Sequence, residues 1–386
     1  SDDENIATRL LPNQVKAMQK NGVAATAKHF PGDGTDFINQ HFSTSTLQIS
    51  YHNWKQKNGK VFQTLIDNGV AVIMAGHITF PAYQKEKLNG EYLPATLSKE
   101  LMTNLLKKEM GFKGVVVSDA LDMAGIAGYY ENQLETEIEC FKAGADILLW
   151  PRIEIIDSLE ARILREEIPM ERLNDAVNRV WNLKKQLGLF NGNYSSIKSV
   201  SDKEFDENKK HAYQISEKSI TLLADKNKQL PLDTTKTRRL LIVSVSEKKG
   251  TESFSIMKKE LSKRGYKVDI RDDLSYFELE SSLEHLSSKY DKFIFAFYSN
   301  PGNPWGTLNL NNSKALTMWT ANKLPLSKVI SIGFGDPYKN LIYMPRIWCR
   351  INCYQTDDNT QLALVKGLTG EIKFTGNSPV TYNVSF

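Results

Sequence analysis

The stretch "KHFPGDGTDFINQHF", Lys28 to Phe42, holds two histidines, two aspartates, two glycines and a proline. The apolar run "GVAATA" leads directly into it. Imidazole has an unperturbed pKa of about 6.5, so histidine can give and take protons near neutral pH. Two more polar points follow apolar runs: His77 after "GVAVIMAG", and Ser118–Asp119 after "GVVV". In parallel α/β folds, catalytic groups gather beyond the carboxyl ends of the strands. Lys28, His29, His77 and Asp119 would then place a cation, two imidazoles and a carboxylate around one mouth. Each of them taken alone reads first as a satisfied strand-end cap. Asp119 divides evenly between an N-cap and a carboxylate held at that mouth.

Such a mouth needs strands and helices in a set order. Apolar runs within 22–30, 68–78, 111–119 and 143–150 predict four strands, each nearly continuous in apolar residues, as parallel strands buried on both faces are. The spacing predicts a helix over 98–110, opening on Ser98, burying Leu101, Met102, Leu105 and Leu106, and stopping at Gly111. Further helices are expected at 134–143 and from 158 to Leu187, the latter interrupted near Pro169. This βαβα series is the sequence sign of a parallel α/β architecture. Residues 188–208 are rich in Gly, Ser, Asn and charge, and read as a linker between a first domain, 1–187, and a second, 209–386. The second opens with a helix over about 209–224. Strands follow at 239–245, 266–270, 292–298, 328–334 and 347–354, with helices between, which reads as a flavodoxin-like α/β/α sandwich.

Composition narrows the function classes. The 386 residues include 49 basic and 45 acidic ones, for a net charge of +4. The basic residues form no long run, which argues against a nucleic-acid partner. No apolar stretch reaches the length of a membrane span. Cys140, Cys349 and Cys353 form no CxxC pair, so neither a zinc site nor a disulfide framework is expected. No GxGxxG or Walker pattern accompanies the second domain, and no cofactor is expected.

Taken together, "KHFPGDGTDFINQH" and "GVVVSDALDM" resemble glycoside hydrolase family 3, in its β-N-acetylglucosaminidase branch, whose loop signature is KHFPG-x-G-x(4)-D-x-H. The resemblance runs on through "NGVAVIMAGHITFPA", "PATLSKELMTNLLKKEMGFKGVVVSDALDM" and "FKAGADILLWP". In the second domain it takes in "SEKSITLLADKNKQLPL" and "GEIKFTGNSPVTY". The resemblance implies a (β/α)8 TIM-type barrel followed by the sandwich domain. It implies a retaining exo-β-N-acetylglucosaminidase acting on peptidoglycan- or chitin-derived saccharides. Carried over by residue, it makes Asp119 the nucleophile and His41 the general acid/base. Lys28 and His29 become ligands of sugar hydroxyls, and His77 a binding or pocket-shaping position. A β-glucosidase, a phosphorylase of the same family and a non-catalytic sugar-binding homologue are the alternatives.

Two departures from the family pattern stand out. The signature's aspartate, two residues before the histidine, is here Asn39, which accepts a hydrogen bond but supplies no charge to favour an imidazolium. Asp33 or Asp36 in the same loop is expected to stand in for it. In addition, only about four βα units precede the linker, half of an eight-fold barrel. Four parallel strands would leave open apolar edges, so a companion chain or a further segment is expected to complete the barrel.

Overall fold

The computed structural model describes residues 2–192, 199–246, 254–271, 274–299 and 312–381. The chain divides into two compact units, residues 3–197 and 198–386.

In the first unit α1 (Glu4–Lys20) leads into β1 (Thr26–Phe30). Next come α2 (Tyr51–Gln56), α3 (Asn58–Asp67), β2 (Val72–Ala75) and helix α4 (Glu100–Glu109). Then follow β3 (Val115–Ala120), α5 (Gln133–Ala143), β4 (Ile147–Leu149), α6 (Ile155–Leu164) and α7 (Met170–Gln186). The strands form one sheet in the order β1-β2-β3-β4, all parallel.

The apolar runs are long because both sheet faces are covered. Ala27, Ile73, Ala75 and Val116 share a core with Phe62, Leu65, Leu101 and Leu105 from the helices. On the other face Val72, Val115 and Val117 pack with Met74, Leu149 and α7 residues Val180 and Leu183. Side chains two apart on a strand share a face, so the sequence alternates between two apolar environments. Among the described residues, the outer edges of β1 and β4 pair with no further strand.

The helix expected over 98–110 is present and buries Leu101, Met102, Leu105 and Leu106 as its pattern requires, but it is wound as a π-helix rather than an α-helix. Its start is capped by the Ser98 hydroxyl, which accepts from Leu101 N–H at 3.3 Å. An ionic cluster fixes α4 to the sheet. Lys107 Nζ lies 2.7 Å from Asp146 Oδ1 and 2.9 Å from Asp175 Oδ2, while Arg172 reaches the same two carboxylates at 2.9 and 3.0 Å. The other oxygen of Asp146 accepts from Val116 N–H on β3 at 2.9 Å. Burial pulls the Lys107 pKa down against the pull of Asp146.

The second unit begins with α8 (Asp202–Ser219), closed at its start by a capping box of Ser201 and Glu204. This corrects the linker expected over 188–208, whose last residues are helical. Its strands are β5 (Thr221–Asp225), β6 (Arg239–Ser246), β7 (Lys267–Arg271), β8 (Lys292–Ser299), β9 (Val329–Gly335) and β10 (Cys349–Asn352). They stand in the order β7-β6-β8-β9-β10-β5. The five parallel members keep the flavodoxin-type order 2-1-3-4-5. β5 was expected to continue the preceding helix. Instead, Ile220 turns extended and fully buried, and β5 pairs antiparallel with β10 at the sheet edge.

Candidate active site

Asp119 sits one residue from the end of β3, 8 % exposed, and one carboxylate oxygen accepts from Ala120 N–H at 2.8 Å. It is not the N-cap of a following helix, since the chain turns after β3 and α5 starts only at Gln133, capped by Asn132. Its other oxygen lies 3.5 Å from His29 Nε2. His29 Nδ1 is 2.8 Å from Asp33 Oδ2, which also accepts His29 N–H at 3.2 Å. The ring thus stands between two carboxylates, bonded to Asp33 and within 3.5 Å of Asp119. Burial raises the Asp33 pKa, but hydrogen bonds from His29 and Gln40 and the charge of His29 outweigh it and hold the carboxyl below its usual value. Lys28 is exposed, and no bond holds its ammonium among the described residues.

His77, expected as a binding or pocket-shaping position, is held inside the protein. It is fully buried, with Nδ1 2.8 Å from Thr96 Oγ1 and Nε2 3.0 Å from the Ala120 carbonyl oxygen. The carbonyl requires Nε2 to carry the proton, so the neutral ring takes the threonine proton at Nδ1. Burial is the main force lowering its pKa. The Ala120 bond and Asp119 oppose that, and His29 and His41 add to it. Both ring nitrogens are occupied, so His77 props the strand end beside Asp119 and has no atom left for a hydroxyl.

The backbone of the His41 loop is bonded to the segment that follows β3. Asn39 Oδ1 accepts from His41 N–H at 3.0 Å and lies 2.8 Å from Nδ1 of the exposed His41 ring. Asp36, expected as support for the acid/base histidine, is committed elsewhere: it accepts from Ser45 Oγ at 2.9 Å and Thr46 N–H at 2.7 Å. Asp33 is likewise held by His29 and Gln40. Asn39 is therefore the ring's described partner, and neither aspartate replaces it.

Sequence reading missed Gln40. Its Nε2 donates to Asp33 Oδ1 and its Oε1 accepts from His77 N–H, both at 2.7 Å. Its carbonyl accepts from Gly125 N–H at 3.1 Å, and the His41 carbonyl from Ala124 N–H at 3.3 Å. Gly125 is a glycine for a steric reason, because a Cβ there would overlap the Gln40 carbonyl oxygen. Gly32 and Gly34 both take positive φ, +139° and +95°, turning the loop out of β1. No group of three or more metal-ligating side chains occurs among the described residues.

A parallel sheet with a carboxylate and imidazoles at adjoining strand ends is a layout for acid/base and nucleophilic chemistry. Residues 1–183 match the glycosyl hydrolase family 3 N-terminal domain. A β-N-acetylglucosaminidase/β-glucosidase of Cellulomonas fimi is 27% identical over 381 residues, covering 95% of this chain and 67% of that protein. The β-hexosaminidase A of Pseudoalteromonas piscicida is 33% identical over 208 residues, 48% of this chain and 34% of that protein. The chain thus spans between a third and two thirds of these relatives. Among solved structures, the β-glucoside phosphorylase BglX superposes with a TM-score of 0.83 at 27% identity, over 98% of this chain and 70% of that one.

Proposed function

We propose that this chain is a retaining exo-β-N-acetylglucosaminidase acting on peptidoglycan- or chitin-derived saccharides. The observation that carries the reading is the docking of the His41 loop onto the residues that follow Asp119, beside His29. In the first step an Asp119 oxygen forms a bond to the anomeric carbon. The bond to the leaving oxygen breaks, and His41 Nε2 gives that oxygen its proton. In the second, His41 takes a proton from water as the water oxygen bonds the anomeric carbon and the Asp119 ester breaks. Lys28, whose ammonium is exposed, and His29, through the Nε2 that no hydrogen bond to Asp119 occupies, would bind sugar hydroxyls. The relatives from Cellulomonas fimi and Pseudoalteromonas piscicida support the N-acetylglucosaminide substrate. The unpaired edges of β1 and β4 support completion of the barrel by a companion segment. The test compares release of p-nitrophenol from its N-acetylglucosaminide by wild type and Asp119→Asn. Equal rates would remove the enzyme reading and leave a sugar-binding homologue.

The likeness to a β-glucoside phosphorylase favours a second reading, in which the glycosyl-enzyme is delivered to phosphate. A histidine is neutral after donating its proton and does not repel an anionic acceptor as a carboxylate would. Sugar phosphate formed in place of free sugar when phosphate is added would select this reading over hydrolysis.

A further inference from the structure

We propose that Gln40 is a positioning residue that latches the His41 loop to the segments that follow β2 and β3 and braces it near β1. The proposal rests on the reading of His41 as the general acid/base. Among the described residues, the His41 ring has a hydrogen-bond partner only in Asn39, two residues away in the same loop. No described residue outside the loop hydrogen-bonds the ring, so its place is set by how the loop is anchored.

The anchoring passes through Gln40. Its side-chain amide meets a carboxylate that needs a donor, Asp33, and a backbone N–H that needs an acceptor, that of His77. Glutamine supplies one of each at this reach. Asparagine is a methylene shorter, and glutamate lacks the donor unless protonated. The backbone bonds of Gln40 and His41 to Gly125 and Ala124 add the segment after β3. The amide is closely walled, since a Cβ on Gly76 would come within 3.0 Å of Gln40 Oε1 and 2.9 Å of His29 Cβ. The loop is therefore tied to the segments that follow β2 and β3, and braced near β1 through Asp33, which is itself bonded to His29.

The experiment measures kcat and KM of Gln40→Ala and Gln40→Glu relative to wild type from about pH 5 to pH 8, with thermal unfolding of each. A misplaced acid/base group costs on the order of tenfold to a hundredfold in kcat, and KM is expected to stay within about threefold, as for an interaction that acts in the transition state. Gln40→Ala should show that loss at every pH. Gln40→Glu should show it at neutral pH, where two carboxylates face each other. It should regain activity relative to wild type as the pH falls, because a proton shared between the two carboxyls restores both hydrogen bonds. A kcat unchanged in both variants would overturn the proposal. So would a loss that is equal in both at all pH values and follows their unfolding. A wild type without Asp119-dependent turnover would sink the glycosidase reading and the Gln40 role with it. An active wild type matched by both variants would sink the Gln40 role alone.

Discussion

At the scale of single residues, Asn39 is the described partner of the His41 ring. A neutral amide orients Nδ1 but adds no charge. Asn39→Asp is expected to move the alkaline limb of the pH–rate profile to higher pH, because a carboxylate beside an imidazole favours its charged form. An unmoved limb would show that His41 is not the group titrating there. His77 makes a different prediction. Burial depresses its pKa in the folded state, so the unfolded chain binds more protons once the pH falls below about 6.5. Its contribution to stability is full above that value and is lost as the pH falls toward the folded pKa. His77→Gln should unfold at lower temperature than wild type at pH 7, yet lose less on going to pH 5.5, read by thermal melts. Equal losses would contradict this. The strand-end positions of Lys28, His29 and Asp119 were legible because each follows a buried apolar run. The direction of His77 was not, because its partners Thr96 and Ala120 lie 19 and 43 residues away. Gln40 was invisible for the same reason, its partner His77 being 37 residues distant.

At the scale of elements, the βα units are placed by two-sided apolar strands and fixed by the cluster around Asp146. That carboxylate is fully buried and serves Lys107, Arg172 and a strand amide at once. Removing one partner of a buried pair leaves uncompensated charge and costs about 3–5 kcal/mol. Asp146→Ala is therefore expected to destabilise the first unit by that amount in denaturant melts. A loss under about 1 kcal/mol, the range of exposed pairs, would show that the cluster is merely superficial. Periodicity predicted the buried face of α4 correctly because side-chain spacing differs little between windings. It could not reveal the π-helical winding, and the structure offers no physical reason for it. β5 was read as helix because an edge strand with one buried face carries a short, mixed pattern. Only its pairing with β10 shows what it is.

At the scale of the whole molecule, the described residues of the first unit present a four-stranded parallel sheet whose outer strands pair with no further strand among them, half the strand number of the barrel that the sequence resemblance implied. Amides of β1 and β4 pair on one side only, and should exchange hydrogen faster than those of β2 and β3. Uniform protection across the four strands would count against open edges. The flavodoxin-type order of the second unit was legible from its apolar runs, whereas its antiparallel edge strand was not. The central claim joins two of these strand ends, making Asp119 the nucleophile and His41 the group that serves it. It is tested most directly in His41→Ala with an aryl N-acetylglucosaminide, whose leaving group departs without an acid while water still needs a base. Peptide mapping by mass spectrometry should find N-acetylglucosamine covalently attached to Asp119. Turnover with no sugar on Asp119, or with the sugar on another residue, would contradict the account.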